Sequence, residues 1–279
     1  MIVVQDFTPP VFTFVPANST VSCDAIPAVG TPAASDNCDA SVSIVYNGEN
    51  KINGACPNAY TLLRRWTATD NCGNTKTAEQ ILTVEDNQAP VFTSFPADGT
   101  FECNAIPGVG NPIASDNCSA SATVTFLGEN KNNGACPDSY VLLRRWRATD
   151  ACGNTADRTQ TLTIRDLTPP AFSFVPANTT ASCDAIPPVG TPAAFDNCTQ
   201  NVNISYDGQQ RSDGPCADNY TLQRRWTAAD NCGNTATAVQ TITVQDITAP
   251  TFTNIPANVT VSCDAIPPVG TASATDNCD

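Results

Sequence analysis

The chain has 279 residues and a net charge of −14, with 41% hydrophobic and only 14% charged residues. A chain this acidic repels phosphate groups, so we expect neither nucleic-acid binding nor direct insertion into an anionic membrane. It contains no histidine, the usual proton shuttle of active sites, and no nucleophile-elbow or phosphate-loop motif, so we do not expect an enzyme.

A strict repeat of 80 residues organises the sequence. The residues Pro-Val-Phe-Thr at 10–13 return at 90–93, and related residues stand at 170–173 and 250–253. Such a period predicts a tandem array of one small domain. Because neither end of the chain coincides with a repeat boundary, we expect a window from a longer protein. The expected organisation is the end of a preceding repeat at 1–6, complete repeats at 7–86, 87–166 and 167–246, and a truncated repeat at 247–279.

Short alternating runs bounded by proline and glycine predict that each repeat is an immunoglobulin-like β-sandwich, so the expected fold class is all-β. In the first repeat, residues 47–58 are polar and are expected to form a loop with at most one short edge strand. The expected strands, in chain order, are A near 11–23, B near 26–35, C near 41–46, F at 60–70 and G at 77–85.

Strands F and G carry the signal for the core. On strand G, Leu82 and Val84 alternate with Ile81, so the first two are expected to face the core and Ile81 to face water. On strand F, Trp66 shares a face with apolar residues and is the expected core anchor, as are its counterparts in the other repeats. The adjacent arginines should diverge, because neighbours on a strand point to opposite faces. We expect Arg64 to point to the same face of the strand as the tryptophan, and the next arginine to be solvated or paired with a cross-strand acid.

Fourteen cysteines recur at fixed spacing without a CxxC pair, which favours disulfides over zinc and implies an oxidising, extracytoplasmic location. Strand F would span roughly 33 Å, which excludes a bond between Cys56 and Cys72, since bonded Cα atoms lie within about 7 Å. The antiparallel order instead brings Cys23 near Cys56 at one end of the sandwich and Cys38 near Cys72 at the other, so we predict two disulfides per domain. The predicted pairs are Cys23–Cys56, Cys38–Cys72, Cys103–Cys136, Cys118–Cys152, Cys183–Cys216 and Cys198–Cys232.

Acidic residues converge on the end of the sandwich where each repeat begins. Asp6, the last residue of the preceding repeat, is expected to meet Asp36 and Asp70, with Asn74 nearby. Three carboxylates without a basic partner repel one another, and hard oxygen ligands in loops favour a structural Ca²⁺ ion. The alternative is that these residues only shape turns. The predicted metal ligands are Asp6, Asp36, Asp70, Asn74, Asp86, Asp116, Asp150, Asn154, Asp166, Asp196, Asp230, Asn234, Asp246 and Asp276.

Two segments of the repeat resemble a known module. Pro32–Asn37 and Trp66–Asn74 resemble the two motifs of the hyalin repeat, an immunoglobulin-like extracellular module. This chain departs from that pattern in having cysteine in both motif loops and tryptophan where the family often has tyrosine. The cysteine-rich form looks like the tandem repeats of very long bacterial surface adhesins. The linker Val84–Pro90 is also similar to the calcium-binding linkers of cadherins.

The resemblance implies an extracellular adhesive or structural role. We expect a stalk or filament segment of a secreted or cell-surface adhesin, stiffened by disulfides and by calcium between repeats. The alternative is a multivalent module that binds glycans or proteins, although only 7% of the residues are aromatic. The expected partners are neighbouring repeats of the same longer chain, and cell-surface glycans or other cells reached through modules outside the window.

Overall fold

In the computed structural model, the described residues are 1–119 and 122–278, so Asp279, the end of the predicted fourth repeat, lies outside them. Every regular element among the described residues is a β-strand. Within these ranges no helix is long and apolar enough to cross a membrane. The all-β prediction is confirmed.

The strands recur with the period of the sequence. The first copy contains β1 (Val11–Phe14), β2 (Ser19–Ser22), β3 (Ala33–Ser35), β4 (Ser43–Asn53), β5 (Tyr60–Thr69) and β6 (Thr75–Glu85). The second contains β7 (Val91–Ser94), β8 (Gly99–Glu102), β9 (Ile113–Ser115), β10 (Thr123–Asn133), β11 (Tyr140–Thr149) and β12 (Thr155–Arg165). The third contains β13 (Ala171–Phe174), β14 (Thr179–Ala181), β15 (Ala193–Phe195), β16 (Asn203–Asp213), β17 (Tyr220–Ala229) and β18 (Thr235–Val244). Two further strands are β19 (Thr251–Asn254) and β20 (Ser273–Thr275).

Backbone packing divides the chain into two compact units. Unit 1 comprises Met1–Gly99, Pro107–Lys131 and Leu142–Leu162. Unit 2 comprises Thr100–Ile106, Asn132–Val141 and Thr163–Asp279. Each unit contains one whole copy, the first or the third, together with part of the second. The repeat boundaries follow the sequence period and stay a prediction.

Each complete copy within a unit forms a small sheet and a larger one. In the first copy, β1 pairs antiparallel with β3, and a four-stranded sheet has the order β2-β6-β5-β4. In that larger sheet β2 runs parallel to β6, whereas the other neighbours are antiparallel. The third copy repeats the arrangement with β13 on β15 and the order β14-β18-β17-β16.

The predicted strand A is two strands that belong to different sheets. Between β1 and β2 stands Pro16, whose ring lacks an N–H and restricts φ, so a single ladder cannot continue through it. The segment after the proline is held to the larger sheet by side-chain hydrogen bonds. Gln80 donates to the carbonyl of Ala17 at 2.9 Å, and the backbone N–H of Ile81 donates to Asn18 Oδ1 at 2.7 Å.

The polar segment at 47–58 contains an edge strand in its first half, longer than the short one allowed for, because β4 continues to Asn53. The strand passes through a bulge between Tyr46 and Gly48, and the glycine has a φ of +98° that few other residues adopt. Beyond the bulge nearly every residue of β4 is exposed. An edge strand that faces water on both sides is as polar as a loop, so polarity alone does not distinguish the two structures.

The core follows the predicted alternation. Trp66, Leu82 and Val84 have at most 1% of their surface exposed, whereas Ile81 is 41% exposed. Arg64 is buried on the same side of β5 as Trp66, and it donates to the carbonyls of Pro27 and Ala28 and to a glutamate of β4. The adjacent arginine forms a surface ion pair at 2.7 Å with an acid of β6, as expected.

Aromatic packing joins the two sheets of the second copy. Phe92 of β7 contacts Phe95, and Phe95 contacts Trp146 of β11, each with ring centroids 5.2 Å apart and nearly perpendicular planes. Edge-to-face contacts of this kind contribute about 0.5–1.5 kcal/mol beyond the burial of apolar area. The tryptophan is therefore the point at which small and large sheet pack into one sandwich.

Candidate functional site

The disulfides connect different repeats. Each of the five bonds among the described residues joins cysteines 95 or 96 positions apart, with Cα atoms 5.0–5.7 Å from each other. The bonds are Cys23–Cys118, Cys56–Cys152, Cys103–Cys198, Cys136–Cys232 and Cys183–Cys278. The predicted pairs within a repeat are therefore wrong, namely Cys23–Cys56, Cys38–Cys72, Cys103–Cys136, Cys118–Cys152, Cys183–Cys216 and Cys198–Cys232.

The reason is that a tandem chain offers partners that a single domain lacks. Cys23 and Cys56 do lie at the end of the first sandwich that meets the next copy, but there each finds a cysteine of that copy. The spacing of cysteines within one repeat carries no information about pairs between copies. Within residues 1–119 and 122–278, four cysteines are free and exposed: Cys38, Cys72, Cys216 and Cys263. At the observed spacing, their partners would fall before residue 1 or after residue 279.

We call each meeting point of copies a junction. The first junction is defined by Asp6, Asp36, Asp70 and Asn74, the second by Asp86, Asp116, Asp150 and Asn154, the third by Asp166, Asp196, Asp230 and Asn234, and the fourth by Asp246 and Asp276. The first two junctions belong to unit 1 and the last two to unit 2.

At the second junction, Asp150 and Asn154 form a clasp. Oδ1 of Asp150 accepts hydrogen bonds from the backbone N–H groups of Cys152 and Asn154 at 2.8 and 2.9 Å, and Oδ2 accepts from the Asn154 amide at 2.8 Å. The same amide donates to the carbonyl of Asp86 at 3.0 Å. The clasp thus ties the linker that leaves the first copy to a loop of the second.

Two other carboxylates of this junction have an unused oxygen. Oδ1 of Asp116 accepts from the backbone N–H groups of Cys118 and Ser119 at 2.9 and 3.1 Å, which is the turn-shaping bond that the alternative interpretation expects. Oδ2 of Asp116 and Oδ2 of Asp86 are both buried and have no hydrogen-bond partner. An oxygen of Asp86 and one of Asp116 lie within 4.8 Å of each other.

The electrostatics reflect this crowding. Burial raises the pKa of Asp86, and the nearby carboxylates of Asp116 and Asp150 raise it further. Asp150 behaves in the opposite way: burial opposes ionisation, but the hydrogen bonds from Asn154 and the backbone outweigh it and lower the pKa. The clasp aspartate is therefore satisfied as an anion, whereas the Asp86 side chain lacks a positive partner.

The first junction repeats the pattern. Asn74 donates to Oδ2 of Asp70 at 2.8 Å and to the carbonyl of Asp6 at 3.3 Å, and Oδ2 of Asp6 and Asp36 have no partner. At this junction Asp39 also contacts the loop that contains Asp70 and Asn74, because it accepts hydrogen bonds from the backbone and side chain of Asn71. At the fourth junction, oxygens of Asp246 and Asp276 lie within 4.8 Å of each other, and Oδ2 of the latter is buried and unpartnered.

The third junction carries two further acids that sequence analysis missed. Glu102 and Asp138 each place an oxygen within 4.8 Å of an oxygen of Asp166. Burial raises the pKa of Asp166, with Asp196, Asp230 and Glu102 adding to the effect. The corresponding positions at the second junction are the neutral Ser22 and Asn58. The sequence contains this difference between copies, but a position that varies between repeats gives no sign of belonging to a repeated site.

These donors suit a hard cation. The unpartnered atoms are carboxylate oxygens, the neighbouring sulfur of Cys118 is held in a disulfide and offers no thiolate, and the sequence has no imidazole. Asp86 at the second junction and Asp166 at the third are at most 5% exposed, so bulk water has little access to these side chains. The free oxygens therefore belong to the aspartates that precede each repeat and to those that directly follow β3, β9, β15 and β20. The clasp aspartates, in contrast, accept hydrogen bonds at both carboxylate oxygens, and the asparagines donate those bonds through the backbone N–H and the side-chain amide. The pairs are Asp70 with Asn74, Asp150 with Asn154 and Asp230 with Asn234.

Fold and site together define a tandem array of immunoglobulin-like sandwiches in which disulfides and acidic clusters link successive copies. Residues 12–84, most of the first copy, match the family model of the HYR-like domain with four cysteines. This segment is accordingly similar to that domain. The comparison with curated proteins gave no match.

Three solved structures with a distant likeness to this chain are cadherin ectodomains. The protocadherin gammaB4 extracellular domain matches at 13% identity over 95% of this chain and 53% of its own, with a TM-score of 0.34. Drosophila N-cadherin EC1-4 matches at 12% identity over 85% of this chain and 76% of its own, with a TM-score of 0.30. Human CDH23 EC21-23 matches at 15% identity over 85% of this chain and all of its own, with a TM-score of 0.32. The chain spans about half the length of the protocadherin.

Proposed function

We propose that the chain is a structural segment of an extracellular stalk, in which each junction binds a calcium ion between the copies that meet there. The observation that carries the proposal is the pair of buried, unpartnered oxygens on Asp86 and Asp116, which lie beside the disulfide from Cys23 to Cys118 that joins the same two copies. A cation there would remove the repulsion between the carboxylates and add a non-covalent link to the covalent ones. Such a junction resists bending because several separated links act on it at once.

The extracellular location rests on chemistry as well as on likeness. Disulfides persist in oxidising compartments and are reduced in the cytosol. The match to the HYR-like domain and the resemblance to repeats of bacterial adhesins support a role in adhesion, with the ligand-binding function carried by other modules. The polar segment at 47–58 is in part the edge strand β4, so less of it is available as a binding loop for the alternative module. The stalk is therefore the better supported proposal.

Calcium titration of the full chain tests the proposal. We expect isothermal titration calorimetry to show several bound equivalents, and the double variant Asp86→Asn/Asp116→Asn to bind one equivalent fewer. The second junction loses two of its three carboxylates in this variant, whereas the amide oxygens still accept the turn-shaping hydrogen bonds. When calcium is removed from the wild-type chain by a chelator, the midpoint temperature of unfolding should fall by several degrees, which corresponds to a loss of about 1–2 kcal/mol of folding free energy.

Asp24→Asn is the matched control. It removes one carboxylate near the same junction, and the second copy naturally carries asparagine at this position as Asn104. This variant should bind as many equivalents as the wild-type chain. A wild-type chain that takes up no calcium at millimolar concentration, or a double variant that retains every equivalent, would refute the junction site.

A further inference from the structure

We propose that the disulfides form a short covalent path along the whole chain, so that the stalk cannot be extended by unfolding its domains. This inference deepens the proposed function, since a stalk is a part that works under tension. It does not depend on calcium. It follows from which cysteines are joined and from the order of the residues along the chain.

The path can be traced from one end to the other. Each disulfide leads forward to the next copy, and a short backward segment of chain leads to the cysteine that begins the next disulfide. The tension path, as we call it, consists of residues 1–23, the bond Cys23–Cys118, residues 118–103, the bond Cys103–Cys198, residues 198–183, the bond Cys183–Cys278 and the last residue.

The path is far shorter than the chain. In the second copy it uses only Cys103–Cys118, about 15 residues, whereas a repeat without disulfides would release about 80. Over the whole molecule the path contains about 50 residues. At about 3.5 Å per extended residue, its full length is about 200 Å with the disulfides included, compared with about 970 Å for the reduced chain. Complete loss of every sheet would therefore extend the oxidised chain to only about a fifth of the length of the reduced chain.

The remaining disulfides have a different mechanical role. Cys56–Cys152 and Cys136–Cys232 lie off the tension path, because reaching them from either end requires more residues. They become part of the shortest route only when a bond of the path is absent. Without Cys103–Cys198, the shortest route passes through Cys136–Cys232 and lengthens to about 310 Å. The two disulfides that join the second and third copies therefore have different effects on the maximal extension of the chain.

Single-molecule force spectroscopy on the full chain, held by handles at its ends, tests the inference. The free thiols are alkylated first, and the buffer contains a chelator so that calcium contributes nothing. We expect a maximal extension of about 200 Å for the oxidised chain and about fivefold more after reduction. Disulfides within repeats would instead give about 630 Å for the oxidised chain, and that value would overturn the inference.

Two double variants provide a matched comparison. Cys103→Ser/Cys198→Ser removes a bond of the tension path and should raise the maximal extension about 1.5-fold. Cys136→Ser/Cys232→Ser removes the other bond that links the same copies and should leave it unchanged. Equal extension of the two variants would show that the disulfides act only as general stabilisers. The maximal extension is set by covalent bonds and does not require a folded chain. A variant that fails to fold therefore still gives a valid result, provided that peptide mapping shows the other four disulfides formed.

Discussion

At the residue scale, one carboxylate group can serve two purposes. Oδ1 of Asp36 accepts from the backbone N–H groups of Cys38 and Asp39 at 2.8 and 3.2 Å and so shapes the turn, while Oδ2 stays buried and unpartnered. The turn-shaping interpretation and the metal-ligand interpretation of these residues are therefore compatible. What separates them is the second oxygen, and only the structure reveals where it points.

The thiol of Cys38 offers a probe of the first junction. Although the residue is exposed, partial desolvation by its surroundings raises the pKa of the thiol, and the carboxylates of Asp6, Asp36 and Asp39 raise it further because they repel the thiolate. Since the thiolate is the reactive form, alkylation near pH 8 should be slower than for an unstructured cysteine peptide, and the rate should rise only at higher pH. Asp6→Asn/Asp36→Asn should lower the pKa and accelerate the reaction several-fold, as measured by mass spectrometry of the Cys38 peptide.

The distant variant Asp24→Asn is the control for this experiment and should leave the rate of Cys38 alkylation as it is. If the double variant reacted no faster than the wild-type chain, the carboxylates would not face the thiol as described.

At the element scale, tight turns place the cysteines that link copies. The backbone N–H of Gly134 donates to the carbonyl of Ser139 at 2.8 Å, and the N–H of Ser139 donates to the carbonyl of Cys136 at 3.1 Å. The turn between β10 and β11 therefore fixes the position of the Cys136–Cys232 bond. A side chain on the glycine would overlap the carbonyl oxygen of Ser139.

Gly134→Ala should destabilise this turn by about 1–3 kcal/mol, because the obstructing atom belongs to the backbone and cannot rotate away. Hydrogen exchange should show reduced protection in the first residues of β11. Gly108→Ala is the matched control: no atom lies within 4 Å of its added Cβ, and the first copy carries Ala28 there. Equal loss of protection in both variants would contradict the steric explanation.

The junctions differ in the number of acidic residues that they contain. The third gathers Glu102 and Asp138 around Asp166, whereas the second has Ser22 and Asn58 at the equivalent positions. Because affinity for calcium rises with the number of anionic ligands, we expect the third junction to bind more tightly than the second.

Glu102→Ser/Asp138→Asn should convert the third junction to the composition of the second and weaken its calcium affinity about tenfold or more. Calorimetric titration should show a tight class of sites in the wild-type chain that disappears in this variant, with the number of equivalents unchanged. Lowering the pH through the raised pKa of Asp166 should weaken binding there, because protons then compete with the cation. A titration indistinguishable from the wild type would mean that the two extra acids do not face the ion.

At the scale of the whole molecule, the disulfides make the repeat a shared unit. In the chain-entropy model, closing a loop of about 100 residues stabilises the folded state by about 4–5 kcal/mol for each bond. Each bond here closes a loop of that order while linking two copies. Loss of one copy therefore weakens the next, and the array is more cooperative than a string of independent domains.

Local patterns determined much of this from the sequence alone. The period gave the number of copies, alternation placed Trp66, Leu82 and Val84 in the core, and antiparallel order placed the aspartate loops and Cys23 at opposite ends of the sandwich. These features depend on near neighbours along a strand or on the direction of the chain, which residue order encodes directly. Whether the aspartates bind calcium stays a prediction.

Tertiary structure alone decided which cysteines pair and which oxygens are left without a partner. A disulfide requires two Cα atoms within about 7 Å, and the distance from Cys23 to Cys118 depends on how one folded copy meets the next. Likewise, Glu102 and Asp138 approach Asp166 only because separate loops converge in space. Contacts between copies have no signature in the spacing of residues within one copy, which is why an 80-residue period could predict the domain but not its connections.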